Sequence, residues 1–535
     1  MKCLDWTEPP EHNKIEFSNM SLKSKPVPTK YSSVHTSNWR NALIRTIFFP
    51  VPFLHRAIPL IGGKSFFEIA IALFVLIICL AISISDTLTA GNVANWLGAI
   101  VVTLGLRNNI IYQLFGLTFE RALYWHKLFA VVTLAAAIIH GVGQADGEEE
   151  ERRRLEEEDD DQTLSGYILI GLLGGMALVY LATYVNFNVF YYFHIVFFLA
   201  LIVLAFMHGA TVLGVLGIVW GVDILVRYVF THRTTDAKLI PVGPKVVKLS
   251  FPREVLGRFS PGQYCFLMVR AINRYEYHPF SITSCPNNTE EVSFCIKDCG
   301  DWTHSLYDLA TATTTDNTVT TSIGIEGPYG SVGLDLFTHP CHEVIMLVGG
   351  GIGITPLLSI WSQLLSLQHS AESSSSLAVR KVIIIWSVRD IAEAEGLYTT
   401  CLKDLLAQSP QELVATAVNN KQSKCIEEGE EVTGTPAETG IVFEYHFHIT
   451  SCKDTTSVPS HLWKPNRPHL PSLFENTTRD CLAQGFTQVA VCVSGTMPLI
   501  HETRDLCDRH SKCCGGCGNK NDTIHFDCHE EIFGF

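Results

Sequence analysis

The chain has 535 residues, a formal net charge of −14 at pH 7 and a mean hydropathy of +0.21. The length predicts about three domains, and the acidic balance argues against nucleic acid as a partner. No basic segment followed by an apolar core opens the sequence, so we expect no cleaved secretory signal. Of the 17 cysteines, all but Cys3 and Cys79 lie beyond residue 230 without regular spacing, which predicts a reduced, cytosolic soluble half.

Six apolar segments are each about long enough to cross a membrane as a helix. Basic residues, which favour the cytosolic side, precede the first segment, separate the second from the third and follow the sixth; Arg45, Arg107 and Arg227 are examples. A six-span bundle places these groups on one side. The sequence therefore predicts an integral plasma-membrane protein with its N-terminal residues and soluble half in the cytosol. The six segments cover residues 65–85, 88–106, 123–143, 164–185, 188–208 and 210–230.

Two of these segments carry histidines at an identical spacing: His126 and His140 on the third, His194 and His208 on the fifth. Ionisable groups at membrane depth are costly and usually functional. Fourteen residues at about 100° each nearly complete four turns, so both histidines of a helix share one face, about 21 Å apart. Parallel helices then pair His126 with His194 and His140 with His208, which predicts two stacked haem sites. A lone membrane histidine is explained equally well by a helix cap; the repeated spacing favours haem.

Beyond the membrane segments, apolar and polar side chains alternate along residues 242–267 as they do in β-strands. The short run that follows would end a strand with hydroxyl groups and free backbone amides. Such groups are suited to bind a flavin, although this run, considered by itself, is explained equally by a plain edge strand. A glycine and a threonine at a helix start further along suit a pyrophosphate. The candidate flavin-binding residues are His278, Pro279, Phe280, Ser281, Thr283, Gly300 and Thr303.

A second region predicts a nucleotide site. The apolar strand 344–348 runs into four glycines within residues 349–353 and then an apolar helix, and this order forms a phosphate cradle. Arg389 follows strand 382–386, where a guanidinium favours the 2′-phosphate of NADP; an ion pair with Asp390 is the alternative. The candidate nucleotide-binding residues are Gly350, Gly351, Gly353, Thr355, Pro356 and Arg389, with Ser494 and Gly495 after the last strand.

Taken together, these motifs resemble the ferric reductase and NADPH oxidase superfamily over residues 65–535. The resemblance implies that His278 to Ser281 contact FAD, that Gly351, Gly353 and Pro356 contact NADPH, and that a C-terminal aromatic residue, Phe533 or Phe535, lies near the flavin ring. The family usually has Cys-Gly-Pro where this chain has Ser494-Gly495-Thr496.

The fold class expected from the motifs and the resemblance is multidomain. A cytosolic segment, residues 1–64, precedes a six-helix transmembrane bundle, residues 65–230, that binds two b-type haems. An FAD-binding antiparallel β-barrel follows at residues 235–335. The last domain, residues 340–535, is an α/β NADPH-binding domain like that of ferredoxin-NADP reductase, with an insertion at about residues 420–470.

The family contains activities that differ in the electron acceptor, which is chelated metal for ferric reductases and dioxygen for NADPH oxidases. Three features favour the metal: the N-terminal 64 residues hold no calcium-binding loop, the connection after His208 is too short for a lid, and Gln144 stands where many oxidases have a further histidine. We therefore expect a ferric-chelate reductase, with cupric ion as a possible second acceptor. A superoxide-generating oxidase and a non-catalytic haem-binding regulator are the alternatives. The acidic run at residues 148–161 has two interpretations. It would concentrate ferric ion at the outer face, or it is a solvated loop without such a role.

Overall fold

The computed structural model describes residues 57–58, 64–107, 119–151, 160–286, 290–312, 318–330, 336, 342–369, 378–408, 441–453, 462–511 and 524–531. Phe533 and Phe535, residues 152–159 of the acidic run and residues 420–440 of the predicted insertion lie outside this set. Within it, a two-residue antiparallel pair, Ala57–Ile58 with Lys64–Ser65, precedes the first long helix.

Long apolar helices form the first half of the described chain. Large apolar side chains lie exposed along them: Phe74 is 65% exposed, Leu178 70% and Val203 60%. Surfaces of this kind are stable against hydrocarbon rather than water. The helices are α1 (Phe66–Ser85), α2 (Thr87–Leu104), α3 (Phe119–Glu151), α4 (Asp160–Tyr180), α5 (Phe187–Met207) and α6 (Thr211–Val226).

Four spans within the described residues are long and apolar enough to cross a bilayer, namely Ala122–Ala145, Thr163–Thr183, Phe187–Met207 and Thr211–Phe230. The described side chains of α1 and α2 give only shorter apolar stretches, Ala72–Ser85 and Thr89–Leu104. The prediction of an integral membrane protein is therefore confirmed, whereas the count of six spans stays a prediction.

An antiparallel six-stranded sheet follows the membrane helices, in the order β4-β3-β6-β1-β2-β5. Its end strands are joined where the Thr283 amide donates to the Ser293 carbonyl at 2.9 Å, so the sheet curves as a barrel does. Leu249, Phe294 and Ile325 are fully buried in its core. The strands are β1 (His232–Pro241), β2 (Val246–Pro252), β3 (Tyr264–Val269), β4 (His278–Ser281), β5 (Glu291–Lys297) and β6 (Val319–Tyr329), with helices α7 (Arg253–Leu256) and α8 (Asp301–Thr311).

A parallel six-stranded sheet completes the fold, in the order β10-β9-β8-β7-β11-β12. Its central strand β7 sends alternate side chains into two cores, with Ile345 packed on the same side as Trp361 and Met346 on the same side as Phe474. Burial on both faces explains why its strands read as continuous apolar runs. The strands are β7 (Val344–Gly350), β8 (Lys381–Val388), β9 (Val442–Ile449), β10 (Trp463–Pro465), β11 (Gln488–Ser494) and β12 (His525–Glu531).

Helices cover both faces of this parallel sheet. They are α9 (Ile354–His369), α10 (Ile391–Leu397), α11 (Lys403–Gln408), α12 (Leu470–Gln484) and α13 (Met497–His510). A π-helical turn, Tyr398–Leu402, joins α10 to α11.

The predicted insertion at residues 420–470 needs a correction. Strand β9 pairs with β8 along its whole length, from Val442 beside Lys381 to Ile449 beside Val388. These residues therefore belong to the domain's own sheet. Polar residues such as Glu444, His446 and His448 concealed the strand in the sequence, because they break the apolar run typical of a buried parallel strand.

Candidate functional site

The four membrane histidines lie in two pairs, in the predicted combination. The ring centroids of His126 and His194 are 6.3 Å apart, and those of His140 and His208 are 6.1 Å apart. Two imidazoles on opposite sides of one metal ion, each bonded at about 2.0 Å, have centroids roughly 6 Å apart. Both pairs therefore leave the space that an iron atom between two imidazoles requires.

The surroundings of the rings also fit a haem. His126 Nδ1 donates to the Val101 carbonyl at 2.9 Å, which leaves its Nε2 for a metal. His194 Nδ1 is buried without a hydrogen-bond partner among the described residues. Glycines face the outer pair: a Cβ on Gly91 would lie 2.9 Å from His140 Cε1, and one on Gly166 would lie 2.7 Å from His208 Cε1. The two glycines thus make room for the imidazole rings of this pair between the helices.

The candidate flavin strand β4 is backed by Trp302 of α8. The Trp302 ring lies 4.7 Å from that of His278 and stacks on Phe280 at 5.7 Å. Within the described residues, Trp302 Nε1 is buried without a hydrogen-bond partner, and His278 Nε2 is buried with Glu276 Oε2 at 3.7 Å, beyond hydrogen-bond distance. Burial lowers the pKa of His278, and nearby Glu276 opposes this only in part, so the ring is neutral near pH 7. Buried unpaired N–H groups at a strand end are where a polar ligand binds.

The hydroxyl groups predicted to reach the flavin are mostly engaged elsewhere. Thr283 Oγ1 donates to the Ser293 carbonyl at 2.8 Å. Thr303 Oγ1 accepts from the amides of Cys299 and Gly300, at 2.8 and 2.9 Å, and caps the start of α8. What this helix start offers a pyrophosphate is therefore its own first amides, which have no partner within the helix.

The glycine-rich turn between β7 and α9 approaches the end of β11 very closely. Gly351 has φ +55°, a left-handed conformation that favours glycine, and its carbonyl accepts from Trp386 Nε1 at 2.9 Å. A Cβ on Gly353 would lie 2.6 Å from the Ser494 carbonyl oxygen. The glycines therefore serve both the turn and the contact between two strand ends.

The candidate nucleotide residues meet at one edge of the parallel sheet. Strand β7 lies between β8 and β11, and all three end at this edge. Arg389 is exposed just beyond β8, and the Ser494 Oγ at the end of β11 is buried without a partner among the described residues. Strand order reverses between β7 and β11, and such a switch point is where open α/β sheets bind ligands. Thr355 and Pro356 lie buried in the first turn of α9.

Replacement of Gly353 by alanine tests this contact. The added Cβ would meet backbone, which cannot rotate away, so the turn must shift. We expect kcat/KM for the nicotinamide nucleotide, measured with a soluble electron acceptor, to fall by on the order of 100-fold. Gly174→Ala is the control, because its Cβ would meet nothing within 4 Å. Unchanged kinetics in the Gly353 variant would exclude this turn from the site.

The flavin sheet and the nucleotide domain touch beside these motifs. Ser359 of α9 donates through Oγ to the Ser284 carbonyl at 3.0 Å, and Ser284 lies three residues after β4. The strand carrying His278 and the helix that starts at the glycine-rich turn are therefore directly joined. This contact places the two halves of the candidate site next to each other.

A buried ion-pair cluster joins the membrane helices to the flavin sheet. Glu326 of β6 binds Arg107 at 3.0 Å, Arg227 at 3.2 Å and the Tyr329 hydroxyl at 2.8 Å. The Arg107 guanidinium also lies 3.8 Å from the centre of the Phe266 ring. Burial raises the pKa of Glu326, but Arg107 and Arg227 lower it by more, so the carboxylate stays charged.

A second contact lies close to the pair formed by His126 and His194. Asn188, near the start of α5, donates to Glu276 at 2.7 Å, and Glu276 lies two residues before β4. His194 follows Asn188 by six residues, about 9 Å along the helix. The candidate flavin strand therefore lies at the end of α5 that carries His194. Neither Glu326 nor Glu276 was predicted from the sequence to contact the membrane helices.

Three family descriptions match successive parts of the chain. Residues 90–205 match a "Ferric reductase like transmembrane component", residues 230–333 an "FAD-binding domain" and residues 342–508 a "Ferric reductase NAD binding domain". These ranges contain His126, His140 and His194, the flavin strand, and the glycine-rich turn respectively, and His208 lies three residues beyond the end of the first range.

Among curated proteins, the chain is 26% identical to ferric reduction oxidase 7, chloroplastic, of Arabidopsis thaliana, over 60% of this chain and 46% of that protein. It is 29% identical to respiratory burst oxidase homolog protein F of the same plant, over 36% of this chain and 24% of that protein. The chain thus spans less than half the length of each of these relatives.

Among solved structures, the ferredoxin NADP+ reductase of Neisseria gonorrhoeae with bound FAD and NADP covers 55% of this chain and 98% of its own, at 15% identity and a TM-score of 0.32.

Proposed function

Because the chain belongs to the superfamily of ferric reductases and NADPH oxidases, we propose that it is a transmembrane ferric-chelate reductase. Cytosolic NADPH would be the electron donor, and ferric or cupric ion on the opposite face the acceptor. The observation that carries the proposal is the alignment of the histidine pairs with the flavin strand, which contacts the His194 end of α5 through Glu276 and Asn188.

The residues divide the task between them. His126 with His194 would hold the inner haem and His140 with His208 the outer one, while His278 to Ser281 and the start of α8 would hold FAD. The glycine-rich turn, Arg389 and the Ser494-Gly495 turn would hold NADPH. When bound, FAD turns a hydride into single electrons and the haems carry them one at a time.

The membrane helices also favour an outward direction of transfer. The path leads from the side of the dehydrogenase domains to the far end of α5. Moving an electron out of a negative-inside cell is favourable by roughly 2.3 kcal/mol per 100 mV.

The short connection after the outer pair favours a metal acceptor. Helix α5 ends at Met207 and α6 begins at Thr211, so only three residues, His208 among them, join the two helices. So short a turn cannot form a lid that would hold dioxygen over the site. Similarity to a ferric reduction oxidase agrees with this acceptor.

A superoxide-generating NADPH oxidase is the second candidate, because the chain is also similar to a respiratory burst oxidase homolog. Reduction of a ferric chelate by the full chain in membrane vesicles separates the two. We expect NADPH, added on the side of the dehydrogenase domains, to drive ferrous ion formation that superoxide dismutase leaves unchanged. Loss of the signal with the dismutase would show that dioxygen is the true acceptor. Absence of any NADPH-driven reduction would favour the non-catalytic regulator.

The choice of NADPH over NADH tests Arg389. A charge-assisted hydrogen bond of about 1.5–3 kcal/mol to the 2′-phosphate would be lost in Arg389→Leu. We therefore expect the ratio of kcat/KM for NADPH to that for NADH to fall by roughly 10- to 100-fold. Only kcat/KM for NADPH should decrease, and the value for NADH should stay unchanged. Arg479→Leu is the control, since that exposed arginine pairs with Glu475 on its own helix, α12, at 3.6 Å. An unchanged ratio would show that Arg389 does not bind the 2′-phosphate of NADPH.

A further inference from the structure

Two cysteines from different domains face each other at a second contact between the flavin sheet and the nucleotide domain. The Sγ atoms of Cys295, on β5, and Cys401, in the π-helical turn, are 3.1 Å apart, although the residues are 106 positions apart in sequence. Cys295 is 5% exposed and Cys401 is partly buried. Nothing in the candidate electron path uses either thiol.

The backbone around this pair is held in place by independent contacts. Lys297 of β5 donates to both carboxylate oxygens of Glu393 on α10, at 2.8 and 2.7 Å. A Cβ on Gly243 would lie 2.9 Å from the Ala392 carbonyl oxygen, and one on Gly396 would lie 2.9 Å from the Val242 carbonyl oxygen. The two domains therefore meet backbone to backbone here, and the sulfur atoms are not brought together by chance rotation of exposed side chains.

We propose that Cys295 and Cys401 are a reversible oxidation site, at which hydrogen peroxide forms a disulfide that links the flavin sheet covalently to the nucleotide domain. A disulfide has its sulfur atoms about 2.05 Å apart. The two Sγ atoms need to approach by only about 1 Å, so the bond forms without separating the domains.

The surroundings assign different roles to the two thiols. The Cys295 thiol donates a hydrogen bond that lowers the pKa of Cys401; burial opposes this, and the charge of Lys248 supports it. The same hydrogen bond and burial raise the pKa of Cys295. Thiolates beside a cation are the reactive form of cysteine. Cys401 is therefore the attacking residue and Cys295 the resolving one.

The reaction balances with peroxide as the only oxidant. The Cys401 thiolate attacks one peroxide oxygen, an S–O bond forms, the O–O bond breaks, and the leaving hydroxide takes a proton to become water. Cys295 then attacks Sγ of Cys401, the S–S bond forms, and the hydroxyl group leaves with the Cys295 proton as a second water. Two thiols are oxidised and one peroxide is reduced to two waters.

Peptide mapping of the full chain in detergent, digested without reductant after brief peroxide treatment, tests the proposal. We expect one linked peptide pair containing Cys295 and Cys401, two hydrogen atoms lighter than the separate peptides, which dithiothreitol separates. Linkage of Cys401 to another cysteine, or oxidation of Cys401 to a sulfinic acid without linkage, would overturn the proposal, as would absence of any change at either residue. This measurement needs no variant, so it stands even where a substitution prevents folding.

Thermal unfolding of the dehydrogenase domains gives a second readout. Closing a loop of this length raises the unfolding temperature of the treated protein by roughly 5 °C. The shift is expected to vanish in Cys401→Ser and to persist in Cys481→Ser, whose buried thiol lies on α12 away from the contact. A shift that persists in Cys401→Ser would assign the stabilisation to another site and contradict the proposal.

Discussion

Replacement of His140 by alanine is expected to remove one haem of two and to reduce transfer to the outer face to background. The variant loses one imidazole of a pair whose partner, His208, cannot hold a haem iron from both sides. Nucleotide oxidation with a soluble acceptor on the dehydrogenase side should continue, because the described contacts of the flavin sheet with the helices, at Arg107 and Asn188, lie at the other end of the bundle. Haem content per polypeptide and ferric-chelate reduction in vesicles measure the two effects.

Val131→Ala is the matched control on the same helix, since Val131 is 65% exposed on the lipid-facing surface. We expect it to retain both haems and full transfer. A His140 variant that keeps two haems would contradict the assignment of the outer pair.

Replacement of Glu326 by glutamine is expected to slow electron transfer into the membrane while leaving nucleotide oxidation intact. Glutamine keeps the size of the side chain but removes the charge that Arg107 and Arg227 share, so Arg227 keeps its ion pair with Asp223 at 3.0 Å and loses the one across the domain contact. Breaking a buried ion pair in this way costs about 3–5 kcal/mol. The flavin sheet should therefore hold less firmly to the membrane helices. Stopped-flow reduction measures both steps, with flavin reduction unchanged and haem reduction slower.

The same carboxylate has a defined pH dependence. The pKa of Glu326 is lowered below its ordinary value of 4.5 in the folded protein, since the two arginines outweigh burial. Its stabilisation is therefore present above that ordinary value and is lost as the pH falls through the lowered one. Haem reduction in the unsubstituted protein should accordingly hold at pH 5, where the Glu326→Gln variant is already slow.

Glu254→Gln, an exposed glutamate on α7, serves as the control for Glu326. If both variants reduce haem at the rate of the unsubstituted protein, the ion-pair cluster has no part in coupling the domains.

Features that depend on local spacing were predicted from the sequence. The histidine pairs follow from one repeated interval, and strands β7, β8 and β11 follow from short apolar runs before turn residues. The roles of small polar residues were not predicted from the sequence. Thr303, for example, was expected to bind a phosphate, but in the fold its hydroxyl group caps the start of α8.

Contacts between distant residues lie beyond such patterns. Arg107 and Glu326 are separated by 219 positions, and Arg227 and Glu326 by 99. Basic residues at helix ends predicted which side of the membrane they occupy, but not that a carboxylate of the next domain would bind two of them. Strand β9 was missed for a related reason, since its polar residues have partners on other elements, as Glu444 has in Lys381 of β8.

The central claim is that electrons from NADPH reach haem held by the two histidine pairs. A reduced-minus-oxidised absorption spectrum of the purified full chain, recorded without oxygen after addition of NADPH, tests it most directly. We expect both haems to be reduced in the unsubstituted protein, and only the inner one in the His140→Ala variant. Haem that is reduced by dithionite but remains oxidised with NADPH in the unsubstituted protein would contradict the account.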